Sequence, residues 1–121
     1  MQLESLNEHG FHVKQGIAYC VGDEEIYVEV LRTALEEGRE KIPFIRECVQ
    51  KEDYDRYCIE VHGLKNAAKQ IGAQDLSDMA YVQEMAARTG NTKQIRESGE
   101  ALLTAYQKIL DTLESFLADR Q

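Results

Sequence analysis

The chain has 121 residues, 43% of them hydrophobic and 30% charged, with one proline and no tryptophan. That length suits one domain over residues 1–121, the apolar content suffices for a core, and the scarcity of breakers favours long helices over many short strands. A formal net charge of −8, from 14 basic and 22 acidic side chains, sets up a field that repels a phosphate backbone and argues against nucleic acid as a partner.

The first region, Met1 to Gly22, carries Leu3, Leu6, Val13, Ile17, Cys20 and Val21 at loose helical intervals, interrupted by Gly10, Gly16 and Gly22. One or two short helices are expected there. The second segment opens at Asp23, a good N-cap, followed by Glu24 and Glu25 at the positive end of a helix dipole. Ile26, Val30, Leu31, Ala34, Leu35, Ile42, Ile45 and Val49 then follow a period of about 3.6 residues. Pro43 removes one hydrogen bond inside that pattern. Because the stripe resumes in phase, a kink near Gly38 to Ile42 is expected rather than a break. At ~1.5 Å per residue this segment is ~40 Å long. The other acidic side chains along it, Glu36, Glu37 and Glu40, read as solvated surface charge.

The third segment starts at Asp53, another N-cap, and runs to Ile71. Its apolar stripe is Tyr54, Tyr57, Cys58, Val61, Leu64, Ala68 and Ile71, and Gly72 suits the left-handed position that ends a helix. The fourth runs from Gln74 to Thr89, with Leu76, Met79, Ala80, Val82, Ala86 and Ala87, and Gly90 stops it. The fifth opens at Asn91, with Gln94 placed as in a capping box. Ile95, Gly99, Leu102, Tyr106, Ile109, Leu113 and Phe116 follow at separations of 4, 3, 4, 3, 4 and 3 residues, a regular bundle seam. Long amphipathic helices joined by short turns lie antiparallel. The expected fold is all-α, an antiparallel up-and-down four-helix bundle with a short N-terminal helical extension.

Cys20, Cys48 and Cys58 are odd in number and show no C-x-x-C spacing. They read as small apolar residues in a reducing compartment rather than as a disulfide framework or zinc site. The sequence has no run of about 18 apolar residues and no signal-peptide core, so no membrane association and a cytoplasmic location are expected. His9 and His12 read as surface residues. A carboxylate-bridged metal site would need Glu-x-x-His pairs, and Ile59 stands three places before His62. No metal and no cofactor of its own are expected.

His62 lies in "VHGLKNAAKQIGA", Val61 to Ala73. At ~100° per residue it falls roughly 120° from the centre of the third helix's apolar stripe. Its helical neighbours are Ile59, Lys65, Asn66 and Lys69, and Gly63 follows it. Glycine in mid-helix costs roughly 0.8–1.0 kcal/mol relative to alanine, which suggests that bulk beside His62 is unwelcome. A solvated imidazole titrates near about 6.5, so in neutral solution it is mostly uncharged and keeps a free lone pair. Lys65, one turn on, can reach the oxygens of a phosphoryl group attacked by that nitrogen. The pattern therefore allows nucleophilic phosphoryl acceptance. On helix geometry alone, a plain surface histidine between lysines is the commoner case.

That stretch, followed by "QDLSDMAYVQEMAARTGN", resembles the histidine-containing phosphotransfer (HPt) domain family. The family shows H-x-L-K, then small residues, a Gly-Ala pair near the helix end and a Leu-Ser pair opening the next helix. Here these are His62, Leu64, Lys65, Ala67, Ala68, Gly72, Ala73, Leu76 and Ser77. The upstream "GIAYCVGDEEIYVEVL" resembles the family's opening, and the similarity spans roughly Gly16 to Leu117.

The resemblance implies a phosphocarrier of a two-component multistep phosphorelay, not an enzyme with turnover of its own. His62 would take a phosphoryl group from a receiver-domain aspartate and pass it to another. Lys65 would be the phosphate-neighbouring cation and Leu64 a core residue. Ile59, Gly63, Asn66 and Lys69 would border the phosphate or the docking surface. The implied partners are response-regulator receiver domains, which bring the Mg²⁺, and a hybrid sensor histidine kinase, with the chain itself a monomer. Two positions depart from the family pattern. Asn66 stands where Gly or another small residue is usual, so its amide could donate to the phosphoryl group or crowd a receiver. Gln83 precedes Glu84 where Leu-Glu is usual, which bears on local packing or docking. A second reading is a helical adaptor that binds a receiver or kinase without phosphotransfer.

Overall fold

The computed structural model describes residues 1–120. The N-terminal region forms a 3₁₀ helix, Leu3–His9, and a short helix α1, Val13–Tyr19. Four long helices follow: α2 (Glu24–Gln50), α3 (Tyr54–Gln70), α4 (Gln74–Arg88) and α5 (Thr92–Ala118). Three residues separate each long helix from the next, too few for anything but an antiparallel return. The helices close into a ring in which α2 packs on α3, α3 on α4, α4 on α5 and α5 on α2.

The helix starts follow from local chemistry. The Asp23 carboxylate accepts from the backbone N–H groups of Glu25 and Ile26 at 2.9 and 3.1 Å. Asp53 accepts from Arg56 N at 3.2 Å, and Asn91 from Gln94 N at 3.1 Å. Only half of a capping box forms at Asn91, because the Gln94 side chain donates to Ser98 Oγ instead of turning back. α2 is continuous through Pro43, with no break between Gly38 and Ile42.

The buried faces differ from the apolar stripes at a few positions. In α2 the buried residues are Tyr27, Leu31, Leu35, Gly38, Ile42, Ile45 and Cys48, while Ile26 is exposed. Tyr27 is drawn in because its hydroxyl donates to the Ile71 carbonyl at 2.7 Å. Gly38 is drawn in because α5 needs its missing side chain: a Cβ there would sit 2.6 Å from Leu110 Cδ2. In α4, Val82 is exposed, and Gln83 and Glu84 are buried in its place. Before α2, Val21 is almost fully exposed, while Phe11 is buried.

Gly72 adopts φ +81°, and a Cβ on it would lie 2.4 Å from the His12 carbonyl oxygen. Its own carbonyl accepts from His12 N at 2.8 Å, tying the start of α1 to the α3–α4 turn. Cys20 and Cys48 are buried, Cys58 is half-buried, and all three are unpaired thiols. Among the described residues, no helix is long and apolar enough to cross a membrane.

Candidate functional site

α3 and α4 are antiparallel neighbours, and the side chains between them define the site. α3 turns Val61, Leu64 and Ala68 into the core. His62 is left at the surface with its side chain 48% exposed. Ser77, at the start of α4, donates its hydroxyl to the Lys65 carbonyl at 2.8 Å and fixes the two helices beside the site.

From α4, Glu84 reaches beneath the imidazole. Its side chain is only 3% exposed, and Oε2 lies 2.8 Å from His62 Nδ1. Arg88, one turn on, donates to the same oxygen through Nη2 at 2.8 Å and Nε at 3.1 Å. Lys65 Nζ lies 2.8 Å from Oε1. That ammonium is off the hydrogen-bond direction, so Oε1 is compensated by charge rather than by an aligned donor. Lys65 Nζ also lies over the Tyr81 ring, 5.5 Å from its centroid, an arrangement that favours a cation on the ring face.

Burial by itself would raise the pKa of Glu84. The contacts from Lys65, Arg88 and His62 more than reverse this and hold the carboxyl down at about 2, from an ordinary 4.5. The same bond raises Arg88. Glu84 is therefore ionised at any ordinary pH and can only accept. The hydrogen of a neutral His62 ring must then sit on Nδ1, which leaves the lone pair on Nε2. The side-chain amide of Asn66 lies beside that atom, with Nδ2 3.4 Å from Nε2.

His62, Lys65 and Asn66, read from the sequence as one group, are thus together. Lys69 is exposed two turns further along α3, and Ile59 is 59% exposed one turn before His62. A Cβ on Gly63 would meet nothing within 4 Å, so the chain's own packing does not require that glycine. The residues missed at sequence level are Glu84 and Arg88. The available signal was a pair of polar residues interrupting the α4 stripe, with an arginine four places after a glutamate, the spacing of neighbours on a helix face.

Gln83 is buried and fully engaged. Tyr57 donates its hydroxyl to Gln83 Oε1 at 2.6 Å, and Gln83 Nε2 donates to Ser98 Oγ at 2.5 Å. Ser98 in turn donates to the Gln94 carbonyl at 2.8 Å. Gln83 thus serves the packing between α3, α4 and α5.

A concavity of about 580 Å³ runs between α2, α3 and α5, and takes Leu64 and Ala67 from α3 rather than His62. The imidazole stands on open surface instead. Among the described residues, no cluster of three His, Cys, Asp or Glu side chains could hold a metal ion.

No protein-family model matches the sequence, and no curated protein does. A solved structure does match: the HPT domain from the Hpt sensor hybrid histidine kinase of Shewanella. It superposes with a TM-score of 0.83 at 15% identity, over 92% of this chain and 96% of that one. The chain has the HPt-domain fold, with four long packed helices and short helices before them.

Proposed function

We propose that this chain is a histidine phosphocarrier of a two-component phosphorelay, with His62 as the phosphoryl acceptor. The observation that carries the reading is the bond from Nδ1 to a buried, ionised Glu84. It leaves the lone pair on Nε2, the ring nitrogen beside the exposed Asn66. The HPt fold supports the same reading, since domains of this fold meet kinase and receiver domains.

The chemistry follows from that arrangement. The Nε2 lone pair forms a bond to phosphorus as the P–O bond of a receiver's aspartyl phosphate breaks, and that electron pair returns to the aspartate carboxylate. The ring gains positive character, which Glu84 offsets across Nδ1. Passing the group on is the reverse step to a second aspartate. Lys65 and Arg88 keep Glu84 ionised, and Lys65 and Lys69 supply positive field to the phosphoryl oxygens. Mg²⁺ belongs to the receiver. Ile59, His62, Gly63 and Asn66 form the face on which a receiver docks. The carrier acts as a cytoplasmic monomer between receivers and a hybrid sensor kinase.

The test is transfer from a phosphorylated receiver. Label is expected on the wild type and not on His62→Gln. Equal labelling of both, or of neither across a panel of receivers, would leave the adaptor reading instead. In the same assay Ile59→Glu should slow transfer while the helix content and melting temperature stay at wild-type values.

A further inference from the structure

We infer that Asn66 sets the lifetime of the phosphorylated imidazole. In the free protein its amide caps the Nε2 lone pair, and after phosphorylation the same N–H donates to a phosphoryl oxygen and slows hydrolysis. This rests on His62 being the acceptor, as proposed above.

Three observations lead there. First, Asn66 Nδ2 is 3.4 Å from Nε2, a long hydrogen bond from an exposed side chain one turn away. Second, Glu84 holds the ring hydrogen on Nδ1 at 2.8 Å, so Nε2 can only accept and the amide must present its NH₂ group to it. Third, Lys65 and Arg88 both lie against the Glu84 carboxylate rather than against Nε2. Asn66 is the donor that touches the reacting nitrogen.

When Nε2 bonds to phosphorus its lone pair is consumed. The amide then loses its acceptor, and the phosphoryl oxygens arrive one bond further out. Hydrolysis forms a bond from a water oxygen to phosphorus, breaks the P–Nε2 bond, returns that electron pair to Nε2 and releases phosphate. In a loose transition state, charge moves from the equatorial oxygens towards the leaving nitrogen. A donor on those oxygens therefore stabilises the phosphorylated ground state more than the transition state. The residue that departs from the usual small side chain would make this carrier a slower-leaking store.

Phosphoramidate loads an accessible imidazole without any receiver. The Nε2 lone pair displaces ammonia, the N–P bond of the reagent breaks and the P–Nε2 bond forms. Wild type, Asn66→Ala, Asn66→Asp and His62→Gln are loaded in this way, and phosphohistidine is followed by ³¹P NMR after the reagent is removed. Both Asn66 variants are expected to lose phosphate faster by roughly three- to tenfold, the scale of one net hydrogen bond. The Nε2 ¹⁵N resonance of the unphosphorylated protein should shift in Asn66→Ala while the Nδ1 resonance stays in place. Lifetimes within about twofold of wild type, or longer, overturn the inference. Faster loss in both variants with no exchange to any receiver supports it and sinks the relay reading, whereas a folded wild type that takes no label overturns both.

Discussion

Glu84 holds a negative charge almost out of reach of water, and its cost is met by neighbours that also serve the imidazole. Lys65, Arg88 and His62 converge on its two oxygens at 2.8 Å each. The amide of a Glu84→Gln variant would fill the same space, but it would neither compensate Lys65 nor force the hydrogen of His62 onto Nδ1. Phosphoryl loading of Glu84→Gln should fall by roughly ten- to a hundredfold, the loss typical when an outer partner orienting an imidazole is removed. An unchanged loading rate would remove Glu84 from the mechanism. The same charge has a signature in stability. Its folded pKa of about 2 lies below the ordinary 4.5, so its contribution is complete above the unfolded value and is lost as pH falls towards the folded one. At ~1.36 kcal/mol per pH unit this amounts to at most about 3 kcal/mol. Urea denaturation of the wild type should weaken across that acid window, and Glu84→Gln should weaken less steeply over it. Glu100 is also held down, by Arg46, but it is 63% exposed, so solvent screens most of its share. Parallel acid profiles for wild type and Glu84→Gln would show that Glu84 contributes nothing in this window.

At the scale of the elements, the period of about 3.6 residues was enough to find all four long helices, and residue type was enough to find the N-caps Asp23, Asp53 and Asn91. It was not enough to decide which residues each helix buries. Ile26 and Val82 look like core residues and face solvent, whereas Gly38, Gln83 and Glu84 are buried. Each buried exception is explained by a partner on another helix, such as Leu110 against Gly38 or Tyr57 and Ser98 around Gln83, and a single strand of sequence does not display such pairings. His62 and its neighbours on α3 were legible because they share one helix. Glu84 was not singled out, because its role exists only where α4 lies beside α3. Two glycines separate the local from the non-local effect. Gly38→Ala improves helix propensity but drives a methyl into Leu110, and should destabilise by about 1–3 kcal/mol. Gly63→Ala meets nothing within 4 Å and should stabilise by up to about 0.8–1.0 kcal/mol. Chemical denaturation of both variants checks the pair, and the same sign for the two would refute the packing given for Gly38. If Gly63→Ala is more stable yet slower in receiver transfer, the glycine serves docking rather than folding.

At the scale of the whole molecule, the short N-terminal helices are part of the core that the four long ones enclose. Leu3, Leu6, Phe11 and Val13 are buried with the bundle residues, Phe11 to 2% exposure. Backbone and terminal contacts reinforce this, from His12 N to the Gly72 carbonyl at 2.8 Å and from the Met1 ammonium to Asp119 at 2.8 Å. Phe11 was not part of the sequence pattern, because it lies in the link between two seven-residue helices, where no helical period runs. The Gly72 contact is close to the α3–α4 turn, so the N-terminal segment braces the pair of helices that carry His62 and Glu84. A segment merely resting on a finished bundle would melt on its own. One that shares the core should unfold with it. Phe11→Ala is therefore expected to cost about 3–5 kcal/mol, as for a fully buried aromatic side chain. It should lower a single cooperative melting transition rather than split off an early one. Hydrogen exchange should quicken in α2 and α5 as much as in α1, since all of them then open by the same global event. Below the melting temperature, His62 should still be loaded by phosphoramidate at close to the wild-type rate, because the ring, Glu84 and Asn66 are untouched. Fast exchange confined to the first 20 residues, with α2 and α5 as protected as in the wild type, would show the N-terminal helices to be a separate unit.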